Sequence, residues 1–493
     1  MAQVGDPAVR TVAVVGEGPT LWMAAIALHR AFAPTGLQVT VVALPSTTSR
    51  YEVLAASPDL VAFHRLLGVA EQDLFRHADA TFSMGQQYAD WSGRGSAFLH
   101  AYGETGEPLH KLPFLQMWTK ARLNGLRVGY EDFSLAAVAA RNGRIDIGGG
   151  GKAGAYGYHF DKGRYEALLQ AHAKALGISI VAGEAPRAEV LQGLIAAVHL
   201  NDGRKVPADL FVDATGGAAL LSALDTTAPD AVEGPCDRML IASAPPLSPL
   251  PLYGRIAAHE AGWVGLVPLA GRTAVTMSYG SRYLDDQQAL ERLQAAAGLR
   301  LQGDVAVLST EQRLRRRLWV ANCVAVGPAA FAGETMDSVH LLRDQIGIAH
   351  LVALLPVDRA DMAEADIYND EVTGHYRRLR DFQAAHHRLN RRTGEPFWDE
   401  ARALPVSDEL AYKIALFEER GIVAQYAGES FNADSWQSVL IGHGILPRSY
   451  DPQVDTVSEG EVALGMQKIL GRLKTQVGAM PTHDAARARA LRG

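Results

Sequence analysis

The stretch from Thr11 to Leu21 reads TVAVVGEGPTL, and it decides the fold of this chain. Its first five residues form a β-branched run of strand length that enters a glycine turn. Trp22 to Phe32 follows, with alanine and leucine at helical spacing, and a second β-branched run covers Gln38 to Leu44. Strand, glycine loop, helix and strand in this order predict a βαβ unit. Such a unit near the start of a chain is typical of proteins that bind a dinucleotide.

The glycine turn has the pattern Gly16-x-Gly18, which is suited to a diphosphate. The first glycine permits the tight turn, and the second lets the backbone approach the pyrophosphate beside the positive end of the helix. Leu21 stands where a third glycine permits close packing, and Pro19 lacks a backbone N–H donor. The second strand ends at apolar Ala43, without the acidic residue that binds ribose hydroxyls. These departures argue against tight binding of FAD in the usual position.

Two later regions extend the same nucleotide-binding domain. One contains a predicted helix, Tyr165 to Leu176, and the other begins with the buried strand Leu210 to Ala214, which runs into an Asp-Ala-Thr-Gly turn. A third core strand is predicted from Val320 to Val326. The candidate cofactor-binding residues are Gly16, Gly18, Asp213, Gly216 and Gly327.

These segments divide the chain into five parts. The nucleotide-binding domain covers 1–230 and returns at 316–355, around an inserted β-rich substrate cover at 231–315. A charged, amphipathic helical lobe is predicted at 356–475, and 476–493 is expected to be a loosely ordered tail.

Composition limits the function classes. The chain has 493 residues, a net charge of −7 and 48% hydrophobic residues, which argues against a nucleic-acid or anionic-membrane binder. Cys236 and Cys323 show no metal-ligand spacing, so we expect a reducing, cytoplasmic compartment. No apolar stretch approaches the length of a membrane helix. His159, His340 and His386 have no evident base or metal partner, and we predict structural roles for them.

Five segments, in the same order along the chain, resemble the flavin-dependent tryptophan halogenases. They are Gly18 to Ala25, Ala80 to Gly85 with Asp90 and Trp91, His159 to Asp161, Gly262 to Pro268, and the helical segments Pro396 to Trp398 and Trp436 to Pro447. The resemblance covers roughly 430 residues. It implies an α/β, glutathione-reductase-type FAD-binding flavoprotein fold with an inserted β-rich substrate domain and a C-terminal helical lobe.

The resemblance also implies site residues, and several of them differ here. The family's catalytic lysine aligns with Ser83, and its helper glutamate with Asp337, one methylene shorter. Trp263 and Pro268 keep the signature of the tunnel to the substrate, whereas Gly265 stands where the family has a second tryptophan. The flavin-strap loop, glycine-rich in the family, reads YEVLAA at 51–56, and the segment beside the flavin reads GPAA at 327–330. A serine is neutral and cannot form a chloramine.

Three functions remain open. The first is an FAD-dependent monooxygenase acting on an indole-like or phenol-like substrate, supplied with reduced flavin by a separate reductase. The second is a non-catalytic binding or partner subunit, as a homodimer or with an active paralogue. The third is a halogenase in which Lys111 or Lys120 replaces the lysine.

Overall fold

The computed structural model of the protein describes residues 8–148, 155–231, 234–334, 336–359 and 361–492. The strands, in chain order, are β1 Thr11–Gly16, β2 Gln38–Ala43, β3 Val53–Ala56, β4 Thr81–Ser83, β5 Gly85–Ala89, β6 Ala97–Ala101, β7 Gly157–Asp161, β8 Ser179–Ala182, β9 Arg187–Leu191, β10 Leu194–His199, β11 Lys205–Pro207, β12 Leu210–Ala214, β13 Asp230–Ala231, β14 Arg238–Ala244, β15 Gly254–His259, β16 Gly262–Pro268, β17 Thr273–Tyr279, β18 Gln302–Ser309, β19 Arg313–Leu314, β20 Trp319–Val320, β21 Cys323–Ala325 and β22 Phe331–Ala332.

The helices are α1 Gly18–Phe32, α2 Asp59–Leu67, α3 Glu71–His77, α4 Phe114–Leu123, α5 Leu135–Arg141, α6 Lys162–Ala175, α7 Asp286–Ala297, α8 Val339–Ala353, α9 Glu364–Arg388, α10 Pro396–Ala403, α11 Asp408–Arg420, α12 Ala433–Gly442, α13 Glu459–Ala479 and α14 His483–Ala490. None of the described helices is both long and apolar enough to cross a membrane.

The nucleotide-type sheet has six strands in the order β20–β21–β12–β1–β2–β8. The five strands from β21 to β8 are parallel, with β1 between β12 and β2. Val12 to Val15 are buried, as expected for a parallel strand covered on both faces. The βαβ unit predicted from the sequence is confirmed, and the carboxyl ends of β12, β1 and β2 meet at one edge of the sheet.

One predicted strand of this sheet is wrong in detail. The residues from Val320 to Val326 do not form one strand, because the chain turns back at Ala321, whose φ is 50°. The result is an antiparallel pair, with Trp319 opposite Val324. The side chain of Asn322 fixes this turn by hydrogen bonding the backbone N–H and carbonyl of Ile195.

The cover sheet has seven strands in the order β18–β14–β17–β16–β15–β5–β6. Five of them lie within residues 238–309, but β5 and β6 come from residues 85–101, far upstream of these five. β5 pairs with β15 in parallel, which places Gln86 opposite Gly254. A separate three-stranded sheet, β3–β7–β4, joins the strap segment to the strand that ends at Ser83.

The C-terminal segment is helical up to Ala490 and is not the loosely ordered tail that we expected. Ser458 and Glu461 form a capping box at the start of α13, and Thr482 caps α14. Helix α14 is fixed to the body of the protein because the Phe82 N–H donates to His483 Nε2 at 3.1 Å. The expectation of a loose tail is wrong because these caps stabilise both helices despite the small-residue composition of the segment.

Candidate functional site

The glycine turn after β1 is built as the sequence predicts. Gly16 has a φ of 154°, and a Cβ there would lie 2.3 Å from the carbonyl oxygen of Ala214. Only glycine permits that approach of β1 to the end of β12. Gly18 has a φ of 72° and begins α1, with nothing within 4 Å of its would-be Cβ. The turn therefore leaves open space at the start of the helix.

A carboxylate stands in this turn. Glu17 lies between the two glycines, and its Oε2 accepts a hydrogen bond of 2.6 Å from the backbone N–H of Thr47, just after β2. Its Oε1 is 3.7 Å from the point where a Cβ on Gly216 would lie, just after β12. The side chain thus reaches both strands that flank β1.

Asp213 organises its own turn. Its two oxygens accept hydrogen bonds from Thr215 N–H and Oγ1 and from the N–H groups of Leu220 and Leu221, at 2.7 to 3.0 Å. Burial raises the pKa of this carboxyl despite those four bonds. The structure therefore places Asp213 beneath the turn that ends at Gly216, where it shapes the backbone.

Gly327 belongs to the same edge of the sheet. It has a φ of 60°, and a Cβ there would lie 2.5 Å from Thr20 Cγ2, so the turn after β21 packs closely on the first turn of α1. The next residue, Pro328, offers no N–H donor.

A cavity of about 520 Å³ lies between the nucleotide-type sheet and the cover sheet. The strap contributes Glu52 to Ala55, and the first turns of α1 and α8 contribute further wall residues. The inner face of the cover sheet supplies Met239, Ile241, Ile256, Trp263, Gly265, Val267 and Thr276. A cavity of this size and largely apolar lining is typical of small-molecule sites.

Gly265 shapes one wall of the cavity. It sits in a row across the cover sheet, with Ile256 on one side and Thr276 on the other. A Cβ on Gly265 would lie 2.5 Å from Thr276 Oγ1, so a glycine is needed here to make space for that hydroxyl. Trp263 is buried next to this notch, and its indole N–H has no partner among the described residues. Pro268 lies at the end of the same strand, where its carbonyl accepts from Thr81 Oγ1 at 2.7 Å and ties the cover sheet to β4.

Ser83 is buried at the end of β4 and does not line the cavity. Its hydroxyl donates to the Gly85 carbonyl at 3.3 Å and also hydrogen bonds the hydroxyl of Tyr102. The hydroxyl oxygen of Tyr102 lies 3.2 Å from that of Ser338. Burial of the phenol raises the pKa of Tyr102 to about 12, so this three-hydroxyl cluster is neutral at physiological pH.

Asp337 sits beside that cluster with a different set of partners. Its Oδ1 accepts from Tyr88 at 2.5 Å, and its Oδ2 is 3.3 Å from His386 Nε2. Burial alone would raise the pKa of Asp337, but His386 and His100 outweigh it and hold the pKa well below its usual range. Asp337 reaches the cavity wall indirectly, because its N–H donates to Gln86 Oε1 at 2.8 Å.

Sequence reasoning missed the partners of His386. Its Nδ1 lies 2.9 Å from His443 Nε2, so two buried histidines and Asp337 form one chain of polar contacts. The three residues come from α8, α9 and α12 or their ends, and no local pattern connects them. Within the part of the chain that the structure describes, no group of three or more ligating side chains is placed to hold a metal ion.

Neither lysine considered from the sequence lies at the cavity. Lys111 is exposed in a turn, and Lys120 donates to the carbonyls of Val454 and Val457. Among the described residues, Lys162 is the one lysine that lines the cavity, where it forms an ion pair with Glu52 of the strap. Sequence reasoning did not single out this pair, because its members are 110 residues apart.

Comparison with known proteins places this architecture in a family. The model of the tryptophan halogenase family matches residues 11–459. The chain belongs to the tryptophan halogenase family. Tryptophan 7-halogenase KtzQ from Kutzneria is 29% identical over 444 residues, which are 84% of this chain and 82% of that protein.

Solved structures of halogenases share the whole fold. BrvH, a flavin-dependent halogenase from Brevundimonas, has a TM-score of 0.92 at 30% identity and covers 98% of this chain and 100% of its own. Xcc4156, a flavin-dependent halogenase from Xanthomonas campestris, has a TM-score of 0.93 at 28% identity, with 98% of each chain covered. The α/β flavoprotein fold expected from the sequence is confirmed.

Membership in this family implies that FAD is the cofactor. The cavity, where its ring system would lie, and the glycine turn after β1, where its diphosphate would lie, differ in how well they fit FAD. The cavity beside the strap and Pro328 has room for a ring system. At the nucleotide end, a diphosphate would meet the Glu17 carboxylate, Pro19 without an N–H, and Ala43 in place of a ribose acceptor. The residues at the nucleotide end therefore do not fit a dinucleotide in its usual position.

Proposed function

We propose that this halogenase-family protein binds a small aromatic molecule in its central cavity and does not halogenate through a lysine. The observation that carries the proposal is the cluster of Ser83, Tyr102 and Ser338 hydroxyls. By resemblance, Ser83 stands where the family's lysine lies, and Asp337 where its glutamate lies.

The chemistry of this cluster differs from that of a lysine. An amine can donate to hypohalous acid or react with it, and it carries a charge that a nearby carboxylate can orient. The Ser83 hydroxyl is neutral, enclosed and already hydrogen bonded. Asp337 accepts a hydrogen bond from Tyr88 and lies 3.3 Å from His386, and no hydrogen bond between it and Ser83 is among the described contacts. We therefore expect that Ser83 and Asp337 do not hold hypohalous acid beside the ring, which is the role that the resemblance assigns to the family's lysine.

The cavity supports the binding half of the proposal. Val53 to Ala55 of the strap and most of the cover-sheet residues give it apolar walls, and the Lys162–Glu52 ion pair lies at its edge. The notch at Gly265 exposes a hydroxyl at Thr276. The side-chain oxygen of Gln86 accepts a hydrogen bond from the Asp337 N–H. Its NH2 group is therefore the donor that could bind a ligand. A cavity that combines apolar walls with polar and charged side chains suits a flat ring that carries a hydroxyl or an N–H.

The test combines binding and turnover on the full-length protein. Indole, L-tryptophan and phenol are titrated by calorimetry against the protein and its Gly265→Leu variant, which fills the notch, with Gly217→Ala as an exposed control. Turnover is followed by mass spectrometry with FAD, a flavin reductase and bromide. We expect one-to-one binding of at least one ring compound, lost in Gly265→Leu and kept in Gly217→Ala, and no brominated product. Bromination, or no binding of any of the three, would contradict the proposal.

A second candidate is flavin-dependent oxygenation of the same ring compound. The intact Gly16 turn and the cavity beside the strap favour it. A hydroxylated product in the same assay without bromide, dependent on the reductase, would establish this candidate in place of simple binding.

A further inference from the structure

Glu17 lies across the groove at the carboxyl edge of the nucleotide-type sheet. The sheet order places β1 between β12 and β2, so a ligand that crosses the end of β1 must pass between the segments that follow β12 and β2. Those segments are marked here by Gly216 and Thr47, and both residues are exposed. The Glu17 carboxylate contacts Thr47 and lies against Gly216, so it bridges this passage.

The bridge is held in place by the backbone. A charge-assisted bond of 2.6 Å from the Thr47 N–H fixes one oxygen of the carboxylate. The same N–H is thereby unavailable to a ligand. On the other side, Arg313 donates to the carbonyl of Gly216, and its guanidinium is already paired with Glu311. The described side chains around Glu17 therefore leave its negative charge without a cation in direct contact.

A diphosphate in this groove would face that charge. A dinucleotide places two negative phosphates at the start of the helix after β1, where free N–H groups and the helix dipole favour an anion. Here the helix starts next to Glu17, which brings its own anion to that position, and Pro19 removes one donor. Two like charges about 4 Å apart repel each other by about 1 kcal/mol in bulk water and by about 4 kcal/mol near a protein surface. These energies are equivalent to a loss of affinity of about 5-fold and about 1,000-fold.

We propose that Glu17 makes the groove selective against dinucleotides and other diphosphates, so that the central cavity takes ligands without that group. Glu17 is thus a specificity-determining residue of this chain. The inference does not rest on the proposed function, because Glu17, Thr47 and Gly216 do not line the central cavity.

The test replaces the charge and keeps the shape. Full-length protein and the Glu17→Gln variant are titrated with FAD and, separately, with ADP, which probes the groove without any ring in the cavity. The matched control is Glu166→Gln, because Glu166 also holds the segment after β2, through the hydroxyls of Ser46 and Thr48. Circular dichroism and thermal unfolding confirm that all three proteins are folded. We expect no binding by the parent or by Glu166→Gln at about 100 µM ligand. We expect Glu17→Gln to bind with a dissociation constant of about 10 µM or lower, which is a gain of at least about tenfold.

Each other result overturns the proposal. Micromolar binding by the parent that weakens in Glu17→Gln would make Glu17 a ribose acceptor in place of the acid missing at Ala43. No gain in Glu17→Gln would show that another residue closes the groove. An equal gain in Glu166→Gln would assign the effect to loosening of the loop. Because Glu17, Thr47 and Gly216 do not line the central cavity, failure here leaves the ring-binding experiment unaffected.

Discussion

Tyr88 donates a 2.5 Å hydrogen bond to Asp337, and the two side chains are buried where strand β5 of the cover sheet meets helix α9. The Tyr88 ring stacks on His386 with ring centroids 4.1 Å apart. His386 in turn lies beside the second oxygen of Asp337. One carboxylate therefore joins strand β5, the start of α8 and helix α9. A buried charge with this many partners serves mainly to fix geometry, and it becomes costly when a partner is lost.

We expect Asp337→Asn to lower the free energy of unfolding by about 3–5 kcal/mol, because it leaves two buried histidines without their carboxylate. Asp366→Asn is the control, since Asp366 is exposed in the first turn of α9, and it should change stability by no more than about 0.5 kcal/mol. Urea unfolding followed by circular dichroism measures both. An equally small change in the free energy of unfolding of both variants would show that the contacts of Asp337 with Tyr88 and the histidines do not stabilise the fold.

Buried histidines predict a loss of stability in acid. Burial lowers the pKa of His64, His159 and His340 from 6.5 to about 3. The unfolded chain takes up protons near pH 6.5 that the folded protein does not bind, so this stability is complete above pH 6.5 and is lost as the pH falls toward 3. Each such group contributes a slope of up to about 1.4 kcal/mol per pH unit.

The variant His64→Gln isolates one of these groups, since glutamine does not titrate. Between pH 6 and 5, we expect the free energy of unfolding of the variant to fall less steeply than that of the parent. The difference between the two slopes should be about 1.4 kcal/mol per pH unit. His77→Gln, which changes an exposed histidine, is the control variant. Denaturant titrations across this pH range measure the free energy of unfolding of each protein. Identical slopes against pH for His64→Gln and the parent would refute the role assigned to His64.

The two glycines of the turn after β1 predict unequal costs. Both have left-handed φ values, so alanine at either position costs about 1–2 kcal/mol in backbone strain. Gly16→Ala must also move the carbonyl of Ala214, whereas Gly18→Ala meets open space. We expect Gly18→Ala to fold with a modestly reduced melting temperature and Gly16→Ala to yield little folded protein. Equal melting temperatures would contradict the close approach of β1 and β12.

The sequence predicts what depends on local patterns. The βαβ unit, the Gly16 turn and the capped helices are all encoded within a few residues, and the family resemblance supplies the cover sheet. The recruitment of β5 and β6 to that sheet leaves no periodic signal, because pairing of Gln86 with Gly254 joins residues 168 positions apart by their numbers. The turn at Ala321 was missed because a left-handed alanine is rare and interrupts an otherwise apolar run.

The candidate site is harder to predict because its contacts are long-range. The Tyr102–Ser338 contact spans 236 residues, and the Asp337–Tyr88 bond spans 249. Hydroxyl groups carry no periodicity that would mark them as partners. Two signals were nevertheless present in the sequence: Glu17 between two glycines places a charge in a turn suited to phosphate, and Lys162 follows a helix cap at Asp161 beside the strap. Both could have been read from motif position alone.

Gly265 and Thr276 form a pair whose coupling can be measured. Alanine at 265 places its Cβ 2.5 Å from Thr276 Oγ1, so Gly265→Ala should cost about 1–3 kcal/mol through overpacking. Thr276→Ala removes the hydroxyl and should relieve that clash, so the double variant should be more stable than the sum of the two single changes predicts, by about 0.5–3 kcal/mol. The matched cycle uses Gly217→Ala with Thr276→Ala, which share no contact and should be additive. Urea unfolding of the six proteins gives both coupling energies. Coupling in the first cycle alone would support the notch on the cavity wall, and Gly265→Ala would then show reduced ring binding. Coupling of equal size in both cycles would mean that the effect does not come from the contact between Gly265 and Thr276, and that Gly265 does not shape the cavity.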